Sequence, residues 1–253
     1  GIFYSVIFMK NRQFFVGFCF FSMVSCHQGK SNQVVSDLKI KIMAGGRNPE
    51  AKLENTVNDY WIGVDRGVGY LLDRGIAPQR IFGDFDSIDA KHHTFVQSVQ
   101  QKEVYATQKD ETDLELALDW AIRQDPKEIH IYGATGHRLD HELATLDLLY
   151  DLVMHTTQIF IKDEQNEMFF LLAGCHKLAR DERFRYISFL PYSEMVEALT
   201  LEGFQYPLQQ RHIKKGRSLT VSNEFCKNVG TISFQKGILL VIKSTDSKLD
   251  VLL

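Results

Sequence analysis

Two carboxylates alternate in Gly83-Asp84-Phe85-Asp86-Ser87-Ile88, directly after the short apolar run Arg80-Ile81-Phe82. A second acidic cluster, Lys109-Asp110-Glu111-Thr112-Asp113, follows within one helix-and-strand length. Carboxylates gathered this way repel one another unless something positive sits between them. Hard oxygen donors beside a phosphate-bearing substrate select Mg2+. The pair of clusters therefore reads as a metal and nucleotide-phosphate site; a solvated acidic loop is the alternative for either cluster alone. A third motif, Gly136-His137-Arg138-Leu139-Asp140-His141, adds a guanidinium that can fork two phosphate oxygens at the start of a helix, where backbone N–H groups are free. Asp140 in that first turn can instead serve only the helix dipole, and His141 alone can be a structural histidine.

These motifs need elements to hold them. Leu38–Met43 reads as a strand followed by Ala44-Gly45-Gly46-Arg47, and Tyr60–Val64 as a second strand followed by Asp65-Arg66-Gly67. The pattern predicts a short helix from about Val68 to Arg74, stopped by Gly75. Ile81-Phe82 leads into the first acidic motif, and Glu103–Ala106 into the second. Thr112 with Glu115 fits a capping box, and the helix behind it places Leu114, Ala117, Leu118, Ala121 and Ile122 on one face. Glu128–Tyr132 is a further strand, followed by Gly133–Gly136; a helix runs from Leu139 to Val153; Gln158–Ile161 is a strand ending at Lys162-Asp163-Glu164. Alternating strands and helices predict a doubly wound, Rossmann-like parallel sheet. Each polar or glycine-rich motif comes straight after a strand, so all of them gather at the C-terminal edge of that sheet, where such folds bind ligands. No GxxxxGK[ST] occurs, which excludes a P-loop, and no GxGxxG follows the first strand, which argues against a dinucleotide-dependent oxidoreductase.

After about Asn166 the helical period fades. Phe184–Leu190, Ala198–Leu201, Ser218–Val221, Gly230–Phe234 and Ile238–Ile242 read as short strands, with Gln235-Lys236-Gly237 as a hairpin turn. They predict a C-terminal antiparallel β-sandwich. The expected division is 1–38 as an extraneous or signal-like segment, 39–166 as the α/β domain and 167–253 as the all-β domain. In the first segment a basic start, Met9–Arg12, precedes the mostly apolar 14–24 and then Ser25-Cys26. That resembles a bacterial lipoprotein export signal with Cys26 as acceptor. An export signal, a start assigned too far upstream and added sequence are the three readings; the second or third is expected, with a cytoplasmic mature protein and no membrane attachment. Of four cysteines only Cys175 and Cys226 lie in the body, which is no disulfide framework. A net charge of −3 without a basic stretch gives no support to nucleic-acid binding.

From about Ile40 to Leu253 the chain resembles thiamin pyrophosphokinase of the bacterial type. The resemblance is carried by Ala44-Gly45-Gly46, Gly63–Gly67, Gly83–Ser87, Lys109–Asp113, Gly136–His141, Gly203–Leu208 and Ser222-Asn223-Glu224, in that order. It implies an α/β domain, a β-sandwich and a homodimer whose sites lie between the α/β domain of one subunit and the sandwich of the other. The implied reaction is ATP plus thiamin giving thiamin diphosphate plus AMP, with Mg2+. The resemblance further implies Asp84, Asp86 and Asp110 as metal ligands, with Asp86, Asp110 or Asp113 as candidate general base. It gives Asp65 the orienting of substrate or metal, and Ser87, Thr112 and Arg138 contacts on the phosphate side. Asp140 and His141 would shape the nucleotide pocket, and Ser222 and Asn223 would touch thiamin. Ile213-Lys214-Lys215-Gly216 stands where related sequences commonly carry an aromatic residue, so a ring for the thiamin pyrimidine would have to come from elsewhere, with Tyr206 a candidate. Another Mg2+-dependent phosphotransferase or hydrolase, or a non-catalytic exported lipoprotein on the same scaffold, remain the alternatives.

Overall fold

The computed structural model describes residues 7–10, 13–16, 38–50, 53–86, 88–103, 111–136 and 138–246. The chain divides into two units, Gly1–Val35 and Ser36–Leu253. In the first, β1 (Ile7–Lys10) and β2 (Gln13–Val16) form an antiparallel pair of their own, a hairpin the sequence reading did not foresee.

The second unit begins with β3 (Lys39–Met43), β4 (Asp59–Val64), α1 (Gly67–Leu72) and β5 (Arg80–Phe82). A 3-10 turn, α2 (His93–Ser98) and β6 (Lys102–Glu103) follow, then α3 (Asp113–Ile122), β7 (Glu128–Tyr132), α4 (Leu139–Leu152) and β8 (Gln158–Lys162). These strands lie parallel in the order β6-β5-β4-β3-β7-β8. The direction of winding therefore reverses between β3 and β7, which puts the topological switch point between the loop after β3 and the loop after β7. Right-handed crossovers send α3 and α4 to the face opposite α1. Near-continuous apolar strands are what a sheet covered on a face requires: Ile40, Ile42, Ile62, Val64, Ile129 and Ile131 bury themselves against Ala117, Leu118 and Ala121 of α3 and Leu149 of α4. Each such side chain contributes roughly 1.5–3 kcal/mol when fully buried. The predicted stop after α1 is present: Gly75 has φ 71 and its N–H reaches Leu72 O at 2.9 Å.

The all-β part comprises β9 (Asn166–Ala179), β10 (Tyr186–Pro191), β11 (Met195–Glu202), β12 (Leu208–Lys214) and β13 (Val229–Ser244). β9 pairs antiparallel with β8, so the two parts share one sheet. β13 pairs with β9 along its whole length, with β10 through its C-terminal half and with β11 through its N-terminal half. Phe169, Phe189, Leu201, Phe204 and Ile232 lie among the residues of a second core enclosed by these strands. Two sequence expectations are corrected here. Gln235-Lys236-Gly237 is no hairpin turn: β13 passes through it, and the register against β9 jumps between Phe234↔Gly174 and Ile238↔Leu172, so three residues bulge opposite Ala173. Gly237, at φ 103, allows the bulge to approach the start of β11, where a Cβ would lie 2.5 Å from Met195 O. Ser218–Val221 is a turn closed by Val221 N–H to Ser218 O at 3.2 Å; it meets β10 at Thr220, whose O accepts from Phe189 N–H at 2.9 Å and whose hydroxyl donates to Phe189 O. Among the described residues no helix is long and apolar enough to cross a membrane.

Candidate active site

A cleft of about 760 Å3 opens at the C-terminal ends of the parallel strands. Its floor is the switch point, and it stays open because glycines build it. Gly46 N–H donates to Gly133 O at 2.9 Å, and a Cβ on Gly133 (φ 67) would fall 2.6 Å from Ala44 O, so side chains at this junction would fill the crevice with protein.

The first acidic motif leaves β5 through a backbone forced into unusual geometry. Phe85 has φ 60 and is buried with Val68, Ile81, Ile88 and Val96, while Asp84 and Asp86 on either side are exposed. Burial of the ring holds the positive φ, a conformation costing about 1–3 kcal/mol for a bulky residue, and it turns both carboxylates toward solvent in the cleft. The Asp86 N–H lies 3.3 Å from Asp84 Oδ1. Asp65, at φ 48 in the turn after β4, is tied by its own N–H to Phe82 O at 3.0 Å. Its carboxylate lies directly over Gly83, where no side chain stands in the way. Thr112 caps α3, its Oγ1 accepting from Glu115 N–H at 3.2 Å, which places Asp113 in the first turn.

Across the cleft, Arg138 stands at the N-cap of α4 and forks onto Asp140, with Nε to Oδ1 at 3.1 Å and Nη2 to Oδ2 at 2.6 Å. The guanidinium holds the Asp140 carboxyl down at about 2. Both side chains stay largely exposed, so the pair is a poised surface contact that a phosphate can compete for.

Asp65, Asp84, Asp86, Thr112, Asp113, Arg138, Asp140 and His141 thus line one cleft, although they are spread over some seventy residues of sequence. Ser87 and Asp110 lie outside the described residues. Ser222 and Asn223 do not line this cleft; they sit in the all-β part. Asn223 is buried, and its side-chain amide brackets Tyr206: Oδ1 accepts from Tyr206 N–H and Nδ2 donates to Tyr206 O, both at 2.9 Å. Tyr206 itself is 64% exposed. Ser222 (φ 56) donates its N–H to Ser188 Oγ at 2.9 Å. Lys215, in the stretch before Gly216, lays its ammonium 4.6 Å from the Tyr192 ring centroid.

The residues above omit two cleft groups. Glu111 adds a carboxylate, and Arg66, at the N-cap of α1, brings a second guanidinium that has no ion-pair or hydrogen-bond partner among the described residues. The signal for Arg66 was its place directly after a strand, beside Asp65. The described lining then holds six carboxylates against two guanidinium groups. Such a cleft repels a polyphosphate unless cations accompany it. No three His, Cys, Asp or Glu side chains converge closely among the described residues, yet Mg2+ asks for only one or two carboxylates, taking its other ligands from water and phosphate, and the donors here are all oxygen. The residues present fit that ion.

Comparison with known proteins agrees with this geometry. The family model of the thiamin pyrophosphokinase catalytic domain matches residues 52–161, and that of the thiamin pyrophosphokinase vitamin B1 binding domain matches residues 175–239. Thiamine pyrophosphokinase of Bacillus subtilis is 45% identical over 211 residues, 82% of this chain and 99% of the relative. The crystal structure of the Bacillus subtilis enzyme superposes with a TM-score of 0.78 at 44% identity, covering 83% of this chain and all of that one. The crystal structure of thiamin pyrophosphokinase from Geobacillus thermodenitrificans gives 0.76 at 40% identity, covering 83% of this chain and 99% of that one. Yeast thiamin pyrophosphokinase, at 15% identity and a TM-score of 0.65, shares the fold. On the matched domains and the near-complete overlap with its relatives, the chain belongs to the thiamin pyrophosphokinase family.

Proposed function

We propose that the protein moves the terminal diphosphoryl unit of ATP onto the hydroxyl of thiamin, and that the acidic cleft at the β3/β7 switch point is where it does so. In that reaction the thiamin oxygen bonds to the β-phosphorus, the bond from that phosphorus to the bridging oxygen of AMP breaks, and the hydroxyl proton passes to a carboxylate. The observation that carries the reading is the excess of carboxylates over guanidinium groups around an open, glycine-floored crevice.

Asp84 and Asp86, with Asp110, would hold Mg2+, which when bound neutralises phosphate oxygens and the AMP leaving group. Asp65, clamped over Gly83, orients the metal-bound phosphate chain or the substrate. One of Asp86, Asp110 and Asp113 accepts the proton. Arg138 exchanges Asp140 for phosphate oxygens, or offers phosphate the N–H donors that Asp140 leaves free; Asp140 and His141 border the nucleotide. Thr112 holds Asp113 in place as helix cap, and Ser87, next in sequence to Asp86, would serve the phosphate side. Residues 39–166 carry the nucleotide chemistry and 167–253 the thiamin side, with Ser222, Asn223 and the exposed Tyr206 ring toward thiamin. Family resemblance supports a homodimer in which each site draws on both chains, and a cytoplasmic location where ATP is at hand.

Purified protein incubated with ATP, Mg2+ and thiamin should yield AMP and thiamin diphosphate in equal amounts. AMP or ADP formation indifferent to thiamin would replace this reading with that of a nucleotide hydrolase.

A further inference from the structure

The turn between β8 and β9 holds two adjacent carboxylates, and each reaches one of the two loops that border the switch point. Asp163 Oδ2 accepts from Thr135 Oγ1 at 2.7 Å, and Thr135 belongs to the Gly133–Gly136 loop after β7 and lines the cleft. Glu164 Oε1 accepts from Glu50 N–H in the segment that continues the loop after β3. Asp163 is itself fixed: its Oδ1 accepts from Gln165 N–H at 2.8 Å and Asn166 N–H at 2.7 Å, and its N–H donates to Asn166 O at 2.9 Å. Gln165 in turn accepts from Thr245 N–H at 3.0 Å, just beyond the end of β13. So a turn anchored in the all-β part grips both nucleotide-side loops.

Simple strand termination does not require this. A β8–β9 turn needs one Asx-type acceptor for its own N–H groups, and Asp163 Oδ1 supplies it. The second oxygen takes a longer bond from Asn166 Nδ2 at 3.2 Å and a shorter one from Thr135, 28 residues earlier in the chain. Fixing Thr135 fixes the backbone of Gly133–Gly136, whose two glycines have no side-chain packing to hold them and both have positive φ (67 and 78). A loop that must meet a phosphate chain within about 0.5 Å needs such a support.

We infer that Asp163 is a positioning residue for nucleotide binding, acting through Thr135 on the loop after β7, with Glu164 doing the same for the loop after β3. The inference rests on the reading of the cleft as the ATP site.

Steady-state kinetics of the full chain test it, varying ATP and thiamin separately. Asp163→Ala and Thr135→Val should each raise the KM for ATP about tenfold, the effect of one lost, partly buried hydrogen bond, and leave the KM for thiamin within twofold. Thr135→Ser, which keeps the hydroxyl, should restore the ATP KM. The double variant Asp163→Ala/Thr135→Val should be no worse for ATP than either single variant, because both remove the same bond. An unchanged ATP KM in folded Thr135→Val, a Ser variant as impaired as Val, or additive losses in the double variant would each overturn the inference. Should Asp163→Ala fail to fold, the Val and Ser pair decides alone. Wild-type protein that makes no AMP from ATP and thiamin would instead overturn the underlying site reading.

Discussion

Gly83→Ala separates the placement of one carboxylate from backbone strain in general. Gly83 has φ 137, outside the range that L side chains adopt readily, so alanine there costs about 1–3 kcal/mol in conformation alone. The added Cβ would also sit 3.2 Å from Asp65 Cγ, 3.3 Å from Asp65 N and well inside contact distance of Asp65 Oδ1. Restoring ordinary contact moves that carboxylate by about 1 Å, and a misplacement of this size at a reacting centre costs about 100-fold in rate. Gly75→Ala provides the control. Its φ is 71, yet nothing lies within 4 Å of the new Cβ, so it carries the strain without the displacement. It should lose about 1–2 kcal/mol of stability and keep its turnover. The assay is AMP release under saturating ATP and thiamin, beside thermal melting of both variants, where each kcal/mol lowers Tm by about 2–4 °C in a chain of this size. Gly83→Ala with wild-type turnover and a melting shift like that of Gly75→Ala would show that the position of Asp65 has no part in catalysis.

Asp86→Asn should fold normally and lose nearly all turnover, since it removes a charge on which Mg2+ depends; normal rates in the folded variant would strike Asp86 from the mechanism. In co-expressed, doubly tagged heterodimers, an Asp86→Asn chain with a Ser222→Ala/Asn223→Ala chain should recover activity that neither mutant homodimer has, because one of the two sites then collects no lesion; a heterodimer no better than the homodimers would mean that each site is built within one chain. A chain beginning near Asp37 should keep fold and full activity, as β1 and β2 pair only with each other and add no strand to the large sheet; loss of either property would make the first segment part of the working protein. His130, buried against Phe160 beside Lys162 and Lys41 and bonded to Glu128, is pushed down to about 4, chiefly by burial. The unfolded chain therefore binds the proton first, and stability, complete above about pH 6.5, should fall by up to about 3 kcal/mol as pH drops toward 4. Denaturant midpoints from pH 4 to 7 should show this slope for the native chain and a shallower one for His130→Leu; equal slopes would count against it.

The parallel half was legible because its physics is local. Isoleucine runs, a capping threonine and Gly75 each state their element within a few residues, and the rule that motifs follow strands then placed eight scattered side chains in one cleft. The all-β half was less so. The long β9 alternates poorly because its first half is covered on both faces, with Met168 and Phe170 against the α/β core and Phe169 and Leu171 against the other, while most of its second half is exposed, so no single period describes it. β12, written Leu208–Lys214, is polar at most positions, as an edge strand facing water can be, and offered no apolar signal. Gly237 looked like a turn because a bulge and a hairpin want the same backbone freedom. At the site, Arg66 escapes sequence reasoning, since a basic residue after a strand has no spacing signature of its own. The bracket of Asn223 around Tyr206 depends on contact between residues 17 apart in separate loops, which no periodicity encodes.

One consequence of the pairing scheme concerns how the protein comes to exist in a cell. β13 is the last of the described strands, and β9, β10 and β11 all pair with it. During synthesis the parallel half can assemble early, but three antiparallel strands must wait for their central neighbour, with apolar surface and open edges uncovered meanwhile. Completion of the sheet thus waits for residues 229–244, and a nascent chain arrested before them leaves β9, β10 and β11 without the neighbour they share. Chaperone demand and premature-stop sensitivity should concentrate in the stretch of the message that encodes β13, far in sequence from every carboxylate proposed for the chemistry.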